Sequence, residues 1–164
     1  MLGADVKPSP KGDWELGHNS ITLTPTGKRL FRTQSDVVHL HQMHQDQVVS
    51  PPTADTAGGL LEPDTTVECW GYSEHTSVQG LYIPNKLFTT QAHMAFDEDM
   101  VRRQIEMREE SGGIQDSEHA DRAKETAHLE HDGLEVAKAI LRIFRFDDDG
   151  SSQAKSAGEA GVKV

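Results

Sequence analysis

The sequence predicts a mixed fold of strands first and helices last, on two observations. Up to about residue 90 the apolar residues come in short runs of three to six, separated by Pro, Gly and Asn. From residue 96 onward they recur at helical spacing. A strand-rich part followed by helices fits α+β or a piece of α/β, and the pattern alone leaves both open.

The elements follow in order. Residues 1–17 hold Pro8, Pro10 and Gly12 and read as a loop. Ile21–Leu23 reads as a short strand ended by Pro25 and a Thr26-Gly27 turn, and Val37–Leu40 as a second. Residues 50–63 (SPPTADTAGGLLEP) form a polar loop. Thr65–Trp70, Val78–Ile83 and Leu87–Thr90 are further strands, the last two joined by a turn at Pro84-Asn85. No helix is expected before Phe96. There Asp97, Glu98 and Asp99 place acids where a helix begins, which suits its macrodipole, and Gly112-Gly113 stops it. Asp116 or Ser117 caps a helix to about Glu130, and His131-Asp132-Gly133 interrupts it. Leu134, Ala137, Ile140, Leu141 and Phe144 then form an apolar stripe, expected to pack. Residues 147–164 lack apolar periodicity and read as a disordered tail, so one domain is expected over residues 1–146.

With 16 Lys plus Arg against 27 Asp plus Glu, the formal charge is −11. Phosphate backbones and anionic membranes need clustered cations, so neither nucleic acid nor membrane is an expected partner. No apolar run approaches a membrane span, and the N-terminus lacks the pattern of a secretory signal. One cysteine, Cys69, allows no internal disulfide. A cytoplasmic setting is expected.

Four groups could carry chemistry. His39, His41 and His44, with Asp46 behind, loosely resemble a metal-ligand string, but the acid follows at the wrong distance. No metal is expected there, and polar surface is the plainer reading. Cys69 stands in V-E-C-W-G. A nucleophile elbow wants G-x-C-x-G, and Val67 occupies the first glycine's place, so a small strand residue is the better reading. His93 follows the strand at Leu87–Thr90 and precedes an acidic helix start, a place where α/β folds put general bases. The segment Glu74-His75-Thr76-Ser77-Val78-Gln79-Gly80 is polar between two apolar strands and reads equally as a binding loop or a plain connection.

Taken together in order, QMHQDQV at 42–48, VECWGYSEHTSVQGLYI at 67–83 and LFTTQAHMAFDEDMVRRQIE at 87–106 resemble the second half of class I glutamine amidotransferase-like proteins of the fungal kind. DGLEVAKAILRIF resembles that family's last helix, and the similarity runs from about Leu2 to Phe146. The resemblance implies an α/β, flavodoxin-like, doubly wound domain, of which this chain holds the later strands and the C-terminal helices. It implies a glutamine or γ-glutamyl amide as substrate, no cofactor, and a Cys-His-Glu triad. The thiolate attacks the amide carbon, the histidine moves the proton, and the carboxylate orients the histidine. His93 matches the histidine. The carboxylate's place is taken by Ala95, and the family's G-x-C-x-G is absent, its place falling before Met1. His75 and Gln79 fall in the family's W-G-x-T-x-H-x-x-V-Q-G stretch and are candidate substrate contacts. The resemblance therefore implies an inactive partial domain, with an exposed sheet edge through which a protein partner could bind.

Overall fold

The structure, a computed structural model, describes residues 2–145. The tail expected at 147–164, and the domain boundary at 146, lie outside the described residues. The elements run β1 (Val6–Pro8), β2 (Glu15–Leu23), α1 (Pro25–Phe31), β3 (Val37–His44), β4 (Asp46–Val48), β5 (Glu68–Tyr72), β6 (Gly80–Ile83), β7 (Leu87–Phe88), α2 (Glu98–Glu110), α3 (Ser117–Glu125) and α4 (Gly133–Phe144). Five strands form one sheet in the order β3-β2-β5-β6-β7, with every neighbouring pair antiparallel. β1 and β4 make a separate two-stranded ribbon.

The N-terminal part departs from the sequence expectation. Residues 1–17 are not all loop, because β1 lies there and β2 begins at Glu15. The expected turn at Thr26-Gly27 is instead the first turn of α1. Thr24 caps it, its side chain accepting from the Gly27 N–H, and Pro25 sits at the first helical position, where a missing N–H costs nothing. Downstream, agreement is closer. Asp97 caps α2 by accepting from the Met100 N–H, and Asp116 caps α3 through the His119 N–H. Asn85 has φ +55, as its turn requires. α3 ends at Glu125, five residues before the expected limit.

The long β2–β3 hairpin divides the molecule. Side chains alternate between faces, and directly paired residues share one. Ile21 pairs with Val38, and these, with Leu23, Leu40, Trp70 and Tyr82, build one buried cluster closed by α1 and by Val136 and Ala139 of α4. Leu16 pairs with Met43 on the other face, in a cluster closed by Val101 and Ile105 of α2 and Ala120 and Ala123 of α3. Gly17 allows the second packing: a Cβ there would lie 2.9 Å from Ala123, and its φ is +73.

Of the stripe expected to pack along α4, Ile140 does, but its large residues Leu134, Leu141 and Phe144 do not. Leu134, Leu141 and Phe144 are 66%, 53% and 76% exposed. The packed face is Val136, Ala139, Ile140 and Ile143, at i, i+3, i+4 and i+7. The helix has apolar residues on both faces, so periodicity could not choose between them.

The sheet curls. After β7, the Thr89 and Gln91 amides still donate to Leu81 and Gln79 beside β6, and the His93 amide then donates to the His41 carbonyl of β3, at 2.8 Å. One residue pair further along β3, the Asp132 amide donates to the His39 carbonyl at 2.8 Å, and the Asp132 side chain accepts from the His39 amide at 2.7 Å. The edge of β3 is thus covered at His39 and His41.

Candidate functional site

His93 sits where the two ends of the curled sheet meet. It is half-buried, and its ring stacks on Phe96 with centroids 4.0 Å apart. Burial first, and then the nearby His44, lower its pKa, against an opposing contribution from the Met43 backbone. A lowered value keeps the imidazole neutral near pH 7, the form a general base needs. Ala95 is exposed, and among the described residues no carboxylate forms an ion pair with His93.

Behind it lies a buried polar network centred on Glu15, which is only 4% exposed. His44 Nε2 lies 3.0 Å from Glu15 Oε2, and Gln79 donates to the same oxygen at 2.8 Å. Gln79 also donates to Ser73 Oγ at 3.1 Å and accepts from the Gln42 amide at 3.0 Å. His75 closes the outer side: its Nδ1 is 2.9 Å from Thr76 Oγ1 and 3.7 Å from Glu15, and its Nε2 is 3.2 Å from Asp13. Burial works to raise the pKa of Glu15, but hydrogen bonds from His44, Ser73 and Thr76 outweigh it and the net shift is downward. A buried carboxylate needs such compensation.

The structure therefore brings His44, His75 and Gln79 together around Glu15, near His93. Gln79, one of the two candidate substrate contacts, is fully buried and uses both amide hydrogens and its oxygen within the network. His75 lines a cleft of about 280 Å³ with Lys11, Glu15, Asn19, Ser20, Ser73 and Glu74. The string His39, His41, His44 is not brought together. Strand alternation sends His39 and His41 to one face, against His18, and His44 to the other. Among the described residues, no group of three or more His, Cys, Asp or Glu side chains is arranged to hold a metal ion. Cys69 lies half-buried in β5, its Sγ donating to the Gly71 carbonyl at 3.1 Å, with no elbow around it. Sequence reasoning missed Glu15. The residue stands in an unremarkable W-E-L, and its partners come from β3 and from the connection between β5 and β6.

No protein-family model matches the chain. A curated Saccharomyces cerevisiae protein named "Putative glutamine amidotransferase" is 27% identical over 143 residues, which is 87% of this chain and 50% of that protein. The chain thus spans about half the length of the curated relative it matches. A glutamine amidotransferase from Thermotoga maritima superposes with a TM-score of 0.53 at 20% identity, over 87% of this chain and 55% of that one. A glutamine amido transferase from Methylobacillus flagellatus gives 0.51 at 18% identity, over 99% and 61%. The α/β fold is that of a partial class I amidotransferase domain. No described helix is long and apolar enough to cross a membrane. In sequence and in fold, the chain is similar to glutamine amidotransferases.

Proposed function

We propose that these 164 residues are the C-terminal, histidine-bearing half of a class I amidotransferase domain of the fungal type, and that they do not hydrolyse amides by themselves. The substrate class is glutamine or a γ-glutamyl amide, and His93 is the proton-transfer group. The observation that carries the reading is the setting of His93: tethered through its backbone to β3, half-buried, and shifted toward the neutral imidazole. His75 faces the cleft as the substrate contact, and Gln79 supports it from behind through Glu15.

The silence follows from chemistry. The mechanism needs a thiolate on an elbow whose backbone amides stabilise the oxyanion, and Cys69 sits within strand β5 beside a β-bulge, not on a strand-to-helix turn. Losing the orienting carboxylate costs on the order of 10⁴ in rate where it has been measured for a serine hydrolase, and Ala95 stands in that place. Purified chain incubated with glutamine or γ-glutamyl peptides should release no ammonia above buffer. Ammonia release that Cys69→Ala abolishes would overturn the proposal.

A second reading, an interaction module, is favoured by the surface. β7 and α4 border a groove of about 330 Å³ lined by Leu87, Phe88, Ile140, Ile143 and Phe144, and Leu134 and Leu141 lie exposed on the same helix. A protein partner would cover this face, beside the outer edge of β7, rather than the edge of β3.

A further inference from the structure

The least explained side chain in the molecule is His41. It is 1% exposed, and neither ring nitrogen has a hydrogen-bond partner among the described residues. A buried imidazole normally satisfies at least one nitrogen. Here the neighbours are other imidazoles. His41 meets His131 edge-on with centroids 5.0 Å apart, and His18 likewise at 5.6 Å; His39 stacks on His18 at 5.2 Å.

The surrounding bonds set the tautomers. His18 Nε2–H donates to the Glu130 carbonyl at 2.9 Å. His131 Nδ1 accepts from the Gly133 amide at 3.1 Å, so its proton is on Nε2. That nitrogen has no free lone pair to offer a metal, which argues against a shared ion.

The cluster also sits at the seam of the molecule. The His41 carbonyl holds the His93 amide, and the His39 backbone holds Asp132 through two bonds. Gly133, which opens α4, lies so close to the next residue of the His93 loop that a Cβ there would be 1.9 Å from the Met94 carbonyl. The seam where β3 accepts both the His93 loop and the start of α4 is thus packed around four imidazoles.

We propose that His41, buried among His18, His39 and His131, is an acid-sensitive latch, which holds the start of α4 and the His93 loop against β3 when neutral and releases both when protonated. Among the described residues, the titratable groups acting on His41 are His131 at the start of α4, His18 from β2 and His93 from the loop after β7, with His39 from its own strand and Asp132 beside them. The Asp132 carboxylate already accepts from the His39 amide. Burial first, then His131, His18 and His93, lower the pKa of His41 to about 4, and burial lowers that of His18 as well.

The sign follows from linkage. An opened seam lets His41 titrate near its ordinary value, about 6.5. The closed form binds fewer protons than the open form between that value and about 4, so opening is favoured as pH falls through this window. His41 alone raises the opening equilibrium about twentyfold between pH 7 and pH 5. The proposal does not depend on the hydrolytic reading, since it concerns only how the seam is held.

Amide hydrogen exchange on the full chain, corrected for the intrinsic rate at each pH, tests it. Protection of the Asp132 and His93 amides should fall about twentyfold from pH 7 to pH 5. Protection at Ile105 in α2 should be retained. In His41→Leu the pH dependence at Asp132 and His93 should shrink to a few-fold. In parallel, NMR titration of the wild-type imidazoles should show His41 still neutral at pH 6. Flat protection across pH 7–5, an equal fall at Ile105, or an unchanged pH dependence in a folded His41→Leu would each overturn the latch. Should that variant not fold, His131→Asn serves the same comparison, and a wild-type His41 that titrates at its ordinary value would overturn the latch without any variant.

Discussion

Glu15 is the residue on which the polar side of the site turns. Its carboxylate is buried, and its charge is held by His44, Gln79, Ser73 and Thr76. Removing it leaves those donors facing an apolar void, so Glu15→Ala should destabilise the fold by about 3 kcal/mol, the typical cost of breaking a buried charge network. Urea denaturation at pH 7 measures it, and a loss below 1 kcal/mol would show the network to be loosely held. Because the Glu15 pKa is lowered, its contribution is present above the ordinary carboxylate range and is lost only as pH falls below about 4.5. The histidine window opens earlier, from about pH 6.5 downward. Stability measured against pH should therefore fall in two stages, and Glu15→Ala should shrink the lower one, to which Asp13 and Glu68 also contribute, and leave the upper one in place.

At the scale of elements, the start of α4 is the joint that matters most. Its position requires glycine for space rather than for backbone freedom, because a methyl group at 133 would strike the Met94 carbonyl and the His131 ring. Gly133→Ala must push the helix start away from the His93 loop, at a cost of about 1–3 kcal/mol for overpacking, despite alanine's better helix propensity. A melting temperature at or above wild type would refute this. In the sequence, His131-Asp132-Gly133 was legible only as an interruption between helices. That Asp132 bonds to the edge of β3 depends on residues 93 positions apart in the chain. α1 was missed for a different reason. Pro25 and Gly27 signal a turn, and only the Thr24 cap, with Leu30 and Phe31 buried against Trp70, turns that local preference into a helix.

For the whole molecule, the division of α4 into a packed and an exposed apolar face has the largest consequence. Phe144 lies exposed at the groove beside β7, and Leu134 and Leu141 are exposed on the same helix. Large exposed apolar side chains grouped in this way mark contact surfaces. The chain should therefore self-associate or bind a partner through this face. Leu141→Lys with Phe144→Glu should shift the species seen by size-exclusion chromatography with light scattering toward monomer, while leaving the far-ultraviolet circular dichroism unchanged. A wild-type chain that is already a clean monomer at high concentration and binds no hydrophobic dye would argue against the surface. The acidic net charge of −11 opposes association between copies unless apolar contact outweighs it.

Local chemistry was enough to decide the later strands, the turn at Asn85, the caps at Asp97 and Asp116, and the family resemblance that singles out His93 and leaves Ala95 without a carboxylate. Each depends on residues a few positions apart, where spacing and side-chain type act directly. The curl of the sheet, the burial of Glu15 and the gathering of four histidines at one seam depend on contacts between distant segments. His93 was readable as a loop histidine, but its lowered pKa and its tether to His41 arise only when the chain after β7 closes toward β3 and partly buries its ring.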